Sequence, residues 1–271
     1  MSDAAAVAPQ RIGDMLCLRG EVALVTGAGR GIGETTAHFL AAQGAAVAVN
    51  DYHPERAAGV VAAIQAEGGT AVSVSGDVTD YRSITSVVAS ARHHLGPVTI
   101  LVNNAGNAGA TSAGNRNPFW DSDPESWEPY LSVNLDAVLY SCRAVVPAMI
   151  EAGHGRLITV ISEAGRVGEA GMEAYSAAKA GAAGLMRALA RSLARFHITA
   201  NSISIGITDT PAMNTVLADT VLTNRVMSRY LVRRPGQPSD VAAMVTYLAS
   251  ATGSWITGQT YSVNGGFSVN Q

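Results

Sequence analysis

The chain has 271 residues, of which 48% are hydrophobic and 14% are charged, and its formal net charge is −3. This length and apolar content suit one open α/β sheet around a shared core. The small negative charge argues against a nucleic acid partner and against an anionic membrane surface.

The N-terminal region carries no sign of a targeting segment. Residues 1–19 are small and mixed, have Asp3 near the start and lack an apolar core, so we expect a flexible arm. Elsewhere no apolar run approaches the ~20 residues that a bilayer span needs. Two distant cysteines, Cys17 and Cys142, do not form a disulfide framework, which predicts a cytoplasmic protein.

From residue 20 to residue 271 the pattern predicts one dinucleotide-binding domain. Short β-branched runs alternate with amphipathic stretches, which is typical of a doubly wound parallel sheet of about seven strands with helices on both faces. The predicted strands are residues 22–26, 46–50, 71–75, 99–103, 156–161, 199–204 and 260–263. The predicted helices are residues 33–43, 54–67, 81–95, 125–151, 172–196 and 239–249.

A glycine-rich turn follows the first predicted strand. Gly27, Gly31 and Gly33 stand between that strand and the next helix, with Arg30 and Ile32 between the glycines. Glycines let the backbone approach a pyrophosphate, and a helix N-terminus offers free N–H groups to it. The placement predicts a dinucleotide site, although a turn that only packs helix on strand is the alternative.

Asp51 follows the second predicted strand. A carboxylate there can accept the hydroxyls of an adenosine ribose and would repel a 2′-phosphate, which favours NAD over NADP. The alternative interpretation of Asp51 is a solvated loop acid, and Arg30 is the residue that would favour NADP.

Two segments have no regular period, and both follow the carboxyl ends of strands. Residues 107–124 and 210–238 are therefore predicted to be irregular loops that contact the substrate. The second contains four arginines, namely Arg225, Arg229, Arg233 and Arg234, which either meet a phosphate or belong to a solvated lid.

Tyr175 and Lys179 lie four residues apart in a predicted helix and so share one face. Lys179 is the single lysine among 18 basic residues, and we expect it on the helix surface. An ammonium beside a phenol favours the phenolate and is expected to lower the tyrosine pKa toward neutrality. Ser162 closes a strand, where its hydroxyl can hold a substrate oxygen. No His or Cys cluster has the spacing of a metal site.

These residues resemble the motifs of the short-chain dehydrogenase/reductase family, and the likeness covers residues 20–266. It implies a Rossmann-type fold and an NAD(P)-dependent oxidoreductase that acts on a CH–OH group, interconverting a small-molecule secondary alcohol and its ketone with Tyr175 as general acid and base. It also implies a homotetramer. The alternatives are a 3-oxoacyl-thioester reductase and a regulator that binds a cofactor without turnover.

The resemblance assigns further roles residue by residue. Asn134 matches an asparagine that completes the catalytic set with Ser162, Tyr175 and Lys179. The matched cofactor contacts outside the glycine turn are Asp77, Val78, Asn104, Ala105, Gly106, Tyr175, Lys179, Ile207 and Thr210. Of these, the resemblance implies that Lys179 binds the nicotinamide ribose and that Ile207 and Thr210 meet the nicotinamide carboxamide.

The chain departs from the family in three places, one of which is the segment 107–124, which is longer than expected for the family. Ile205–Gly206 replaces the usual Pro-Gly, so the turn is expected to be less constrained. Glu163 follows the serine, where it would either line the substrate mouth or face water.

Overall fold

The computed structural model describes residues 11–107 and 118–269. Its strands are β1 Val22–Val25, β2 Ala46–Val49, β3 Thr70–Ser73, β4 Ile100–Asn103, β5 Gly155–Ser162, β6 Ile198–Ile205 and β7 Thr260–Val263. All of them pair in parallel in one sheet, in the order β3-β2-β1-β4-β5-β6-β7. The predicted doubly wound sheet is confirmed.

The α-helices alternate with these strands along the chain. They are α1 Ile12–Met15, α2 Gly31–Ala42, α3 Pro54–Ala66, α4 Tyr81–Leu95, α5 Glu128–Leu131, α6 Ala137–Ala152, α7 Ala164–Val167, α8 Glu173–Leu193, α9 Asn214–Ala218, α10 Thr220–Met227 and α11 Pro238–Ala249. Buried side chains of α4, α6 and α8 cover one face of the sheet, and those of α2, α3 and α11 cover the other. Burial on both faces explains the continuous apolar strands.

The strand order reverses beside β1, and this reversal determines where a ligand can bind. β1 pairs with β2 on one side and with β4 on the other. In an open parallel sheet, the two connections leave such a point in opposite directions and open a crevice at the carboxyl ends of the strands. The glycine turn after β1 and the segment after β4 border that crevice.

Two predicted irregular regions are more ordered than expected. Residues 210–238 contain α9 and α10, so the prediction of an irregular loop is wrong for that part of the chain. Of the predicted N-terminal arm, residues 1–10 lie outside the described residues. Residues 11–19 include α1, and Leu18 is 1% exposed and donates its N–H to the Gln43 carbonyl at 2.8 Å, so this stretch is not a loose arm.

One continuous helical stretch, Pro124–Ala152, is long and apolar enough to cross a bilayer by length and composition. Its buried residues Val138, Val145 and Met149 pack on the sheet, as those of a core helix do. The stretch is not uniform, because residues 132–136 form a π-helical turn that contains Asn134.

Candidate active site

The glycine-rich junction between β1 and α2 leaves no room for side chains at Gly27 and Gly33. Gly27 has a φ of +61°, and a Cβ on it would lie 2.8 Å from Ala105 Cα. A Cβ on Gly33 would lie 2.8 Å from Ala28 Cα and would overlap the Gly27 carbonyl oxygen. The backbone thus forms a bare cradle that ends at the first N–H groups of α2, which suits the pyrophosphate of a dinucleotide.

Asn104 braces this cradle from the end of β4. Its Nδ2 donates to the carbonyls of Thr26 and Gly27, each at 3.0 Å. Thr26 Oγ1 in turn accepts the N–H groups of Asn104 and Ala105, each at 3.1 Å. These bonds join residues almost 80 positions apart, so the predicted cofactor role of Asn104 includes holding the glycine turn in shape.

Gly33→Ala is expected to deform the cradle. Overpacking against backbone costs typically 1–3 kcal/mol, and we expect NADH affinity to fall by about tenfold or more as the turn shifts. Denaturant unfolding and fluorescence titration with NADH measure the two effects. Gly59→Ala on α3 is the matched control, because a Cβ there meets nothing within 4 Å. If the two variants behaved alike, the cradle would not need a glycine at position 33.

Asp51 is buried two residues after the end of β2, and each of its carboxylate oxygens accepts a hydrogen bond from a backbone N–H. Its Oδ2 accepts the Gly29 N–H and its Oδ1 accepts the His53 N–H, both at 2.9 Å. Each oxygen retains a lone pair with which it could accept a further hydrogen bond, such as one from a ribose hydroxyl. Asp51 is therefore not a solvated loop acid.

The sequence interpretation missed a basic residue beside Asp51. Arg56, in the first turn of α3, lines the same cleft as Asp51 and Arg30. A Cβ on Gly29 would lie 2.6 Å from both Arg56 Cβ and Asp51 Oδ2, which shows how closely the two side chains approach. The signal was present, because a helix that starts at Pro54 brings its first turn back over the end of β2.

The cleft above the glycine turn has a volume of about 390 Å³. Most of the predicted cofactor residues line it, namely Gly27, Arg30, Gly31, Ile32, Asp51, Asp77, Val78, Asn104, Ala105, Gly106 and Thr210. Gly33 lies beneath the turn. Asp77 Oδ1 accepts the N–H and the hydroxyl of Thr79 at 2.8 and 2.7 Å, so this carboxylate also shapes its own turn.

Tyr175 is 9% exposed on α8 and shares a side-chain hydrogen bond with Ser162 at the end of β5. Burial raises the pKa of Tyr175, and the Ser162 hydrogen bond lowers it by less. The expectation that the lysine lowers the tyrosine pKa is therefore wrong. The phenol is protonated at neutral pH and is ready to donate its proton.

Lys179 is 5% exposed, which corrects the expectation of a helix-surface cation. Its Nζ donates to the Val160 carbonyl at 3.1 Å and lies 5.8 Å from the centre of the Tyr175 ring. Burial lowers the pKa of Lys179 to about 8. The ammonium is thus charged at pH 7 but near its titration point.

Asn134 reaches the same place from the π-helical turn. Its side chain accepts the Asn107 N–H at 3.2 Å and donates to the Asn107 carbonyl at 2.8 Å. A Cβ added to Gly106 would lie 3.1 Å from Asn134 Oδ1 and 3.2 Å from Lys179 Nζ, so these two groups lie close together beside Gly106. The structure therefore brings Asn134, Lys179, Tyr175 and Ser162 together beside the cleft.

The turn after β6 and Glu163 both differ from what the sequence predicts. Ile207 donates its N–H to the Tyr230 hydroxyl at 2.9 Å, so the turn after β6 is constrained although it lacks the proline. Glu163 is 3% exposed and neither lines the mouth nor faces water. It binds Arg166 at 3.1 Å, so both expectations for Glu163 are wrong.

The structure describes residues 107 and 118–124 of the first predicted substrate segment and all of the second. Of residues 107–124, positions 108–117 lie outside the described residues, and Phe119 stacks on Trp127 with ring centres 5.1 Å apart. In the second segment, Arg234 binds both oxygens of Asp240 at 2.7 and 3.1 Å, and Arg229 lies 3.8 Å from Glu169. Within residues 11–107 and 118–269, no group of His, Cys, Asp and Glu side chains has the arrangement of a metal site.

Comparison with protein families and curated proteins finds relatives along nearly the whole chain. A family model described as "Enoyl-(Acyl carrier protein) reductase" matches residues 27–268. A 3-oxoacyl-(acyl-carrier-protein) reductase of Escherichia coli (strain K12) is 37% identical over 247 residues, covering 91% of this chain and 97% of that protein. A cyclohexanol dehydrogenase of Acinetobacter sp. (strain SE19) is 36% identical over 247 residues, covering 91% and 94%.

Solved structures of the same architecture include complexes with both nicotinamide cofactors. A gluconate 5-dehydrogenase from Burkholderia cenocepacia J2315 in complex with NADP and tartrate is 32% identical, with a TM-score of 0.88, covering 95% of this chain and 98% of that chain. A 7α-hydroxysteroid dehydrogenase complexed with NADH and 7-oxo glycochenodeoxycholic acid is 33% identical, with a TM-score of 0.88 and the same coverage.

Proposed function

The chain belongs to the short-chain dehydrogenase/reductase family of oxidoreductases, and we propose that it interconverts a secondary alcohol and a ketone with NAD as cofactor. The observation that carries this proposal is the buried Tyr175, hydrogen-bonded to Ser162 with the Lys179 ammonium behind its ring. A phenol placed in this way is suited to move a proton to or from an alcohol oxygen.

The cleft residues would hold the dinucleotide, with its pyrophosphate at the glycine cradle and its adenosine ribose at Asp51. The nicotinamide supplies or accepts the hydride. Ser162 would hold the substrate oxygen by a hydrogen bond, and Tyr175 would give that oxygen a proton during reduction or take one during oxidation. Lys179 would stabilise the phenolate left after proton transfer, and Asn134 would orient the groups around Lys179.

A cofactor-fluorescence screen of the purified protein tests this function. The panel contains cyclic ketones, steroid ketones, polyols and 3-oxoacyl thioesters, each assayed with NADH or NAD and with NADPH or NADP. We expect turnover of at least one ketone or secondary alcohol. Binding of NADH with no turnover across the panel would instead support a regulator that binds the cofactor without chemistry.

We predict that the wild type binds NADH more tightly than NADPH, because the Asp51 carboxylate accepts ribose hydroxyls and repels a phosphate. Asp51→Ala should reduce this preference by about 1–3 kcal/mol, the usual cost of losing hydrogen bonds to a charged group. Fluorescence titration with both cofactors measures it. Glu55→Ala is the matched control, because Glu55 is an exposed carboxylate in the same helix turn as Arg56.

Equal affinities of the wild type for the two cofactors would contradict the NAD assignment. Arg30 and Arg56 would then be the residues that accept a 2′-phosphate, since both line the cleft around Asp51. In that case Arg56→Ala should weaken NADPH binding while leaving NADH binding within about twofold.

The second candidate is a 3-oxoacyl-thioester reductase. The similarity to an acyl-carrier-protein reductase of E. coli favours it, and the exposed side chains of Arg225 and Arg233 could meet a phosphopantetheine phosphate. Arg234 is less suited to that role, because Asp240 already binds it. Preferential turnover of 3-oxoacyl thioesters in the screen would select this candidate.

Assembly and location follow the family expectation in this proposal. A cytoplasmic location fits two free cysteines, of which Cys142 is buried and has its pKa raised by burial to about 12, so its reactive thiolate form is disfavoured. The homotetramer rests on the family resemblance. The side chain of Trp255 is 98% exposed, which suits a surface that another subunit covers. Light scattering after size-exclusion chromatography gives the subunit number directly.

A further inference from the structure

Glu163 is a buried carboxylate that the reaction does not use, although it directly follows Ser162. Its N–H donates to the Ile205 carbonyl at 3.1 Å, which joins the ends of β5 and β6. A buried carboxylate is costly unless it is paired and hydrogen-bonded. The partners of Glu163 therefore indicate why the chain keeps it.

The Glu163 carboxylate joins the start of α7 to two serines that lie 99 and 105 positions further along the chain. Arg166 Nη1 donates to its two oxygens at 3.1 and 3.2 Å. Ser262 on β7 donates to one oxygen at 3.1 Å, and the Ser268 hydroxyl near the C-terminus donates to the other. Burial raises the pKa of Glu163, but the Ser268 and Ser204 hydrogen bonds together with Arg166 outweigh burial and hold the pKa below its usual value. The group is a charged anchor.

The anchored segment, residues 264–268, forms a closed turn that we call the C-terminal strut. Asn264 Oδ1 accepts the Gly266 N–H and Asn264 Nδ2 donates to the Ser268 carbonyl, both at 2.9 Å. The Phe267 ring lies 5.2 Å from the ring of Tyr230, and the Arg229 guanidinium lies 4.6 Å from the Phe267 ring centre. The strut thus supports Tyr230 from behind.

Tyr230 connects the strut to the turn after β6. It is 4% exposed, and its hydroxyl accepts the Ile207 N–H at 2.9 Å. A Cβ on Gly206 would lie 2.9 Å from Tyr230 Cε1, so the ring fills the space that this glycine leaves. Thr210, four residues after Gly206, lines the cleft. Tyr230 therefore supplies the constraint that a proline at position 205 would otherwise give.

We propose that the C-terminal strut holds the turn of residues 206–210 against the nicotinamide end of the cleft, with Tyr230 and Glu163 as positioning residues. This inference rests on the proposed function, because it takes the cleft to bind a nicotinamide dinucleotide. Neither residue takes part in proton or hydride transfer. Both act by fixing the backbone of a turn that the family resemblance places at the nicotinamide carboxamide.

Tyr230→Phe tests the inference because it removes one hydroxyl and keeps the ring. Binding of NADH and of ADP-ribose, which lacks the nicotinamide, is measured by calorimetry for the wild type and the variant. We expect the Kd for NADH to rise about threefold to tenfold, because a change of this size corresponds to the loss of one hydrogen bond. The Kd for ADP-ribose should stay within about twofold, because the adenosine end is unchanged.

Ser268→Ala and Glu163→Gln test the other end of the strut and should show the same selective loss. Ser268→Ala keeps the inference testable even if Glu163→Gln, which leaves Arg166 without its anion, fails to fold. Tyr247→Phe is the matched control, since Tyr247 lies on α11 and packs against the core cluster of α2, α3 and α11. It should leave both dissociation constants unchanged.

The outcomes separate the inference from the proposed function. If the wild type bound neither NADH nor ADP-ribose, the proposed function and the inference would both fall. If the wild type bound both ligands and Tyr230→Phe either matched it or weakened both ligands equally, only the strut inference would be overturned.

Discussion

Tyr175→Phe is expected to abolish turnover while the protein still folds and binds NADH. The phenol exchanges a proton with the substrate oxygen only as hydride moves, so its loss should fall on kcat, by 10² or more. The ring keeps its buried position, and losing the hydrogen bond to Ser162 should cost only about 0.5–1.5 kcal/mol of stability. Steady-state kinetics and NADH titration of the same preparation measure both effects.

Tyr140→Phe is the control for this variant, because Tyr140 is a half-buried tyrosine on α6 away from Ser162. It should retain wild-type kcat. A Tyr175→Phe variant that kept a tenth of wild-type activity would show that another group supplies the proton.

The pH dependence of the wild type follows from the raised pKa of Tyr175. Reduction needs the protonated phenol, so its rate should be highest near neutral pH and fall as the tyrosine ionises. Oxidation needs the phenolate, so its rate should rise with pH over the same range. If both directions had the same pH optimum, Tyr175 would not be the titrating group.

Lys179→Met and Lys179→Arg are both expected to lose most activity, although the arginine keeps the charge. A guanidinium is planar and wider, and it cannot take the place of a compact ammonium that donates to the Val160 carbonyl. The pH–rate profile should move upward in both variants, because the phenolate loses a nearby compact cation. The measurement is kcat/KM against pH with any accepted substrate.

The buried position of Lys179 also sets the stability of these variants. The pKa falls from 10.5 to about 8 on folding, which corresponds to about 3 kcal/mol of destabilisation when the lysine is charged. Between these two pKa values the unfolded chain binds more protons, so wild-type stability should rise with pH there. Lys179→Met should therefore be no less stable than the wild type at pH 7, and its advantage should shrink as the pH approaches 10.5.

Lys179→Arg must fit a larger group into the same buried space, which costs typically 1–3 kcal/mol. Arg187→Met, which removes an exposed cation from the same helix, is the control for charge. An Arg variant within about threefold of wild-type kcat/KM across the pH range would mean that Lys179 is not needed as a compact ammonium.

The sequence by itself determined the architecture and the positions of the motifs. Continuous apolar strands alternating with capped helices specify a parallel sheet, because burial on both faces and short-range helix signals are local properties. For the same reason the sequence alone identifies the glycine turn after β1, Asp51 after β2 and the four-residue spacing of Tyr175 and Lys179.

Only the tertiary structure decided what surrounds those residues. The burial that raises the pKa of Tyr175 and lowers that of Lys179 comes from packing α8 against β5, and no local pattern encodes it. Glu163 meets Ser268 across 105 positions of sequence, a contact that exists only once β5, β7 and the C-terminal strut are assembled. Local propensity places elements along the chain, whereas desolvation and pairing depend on which distant segments the fold brings together.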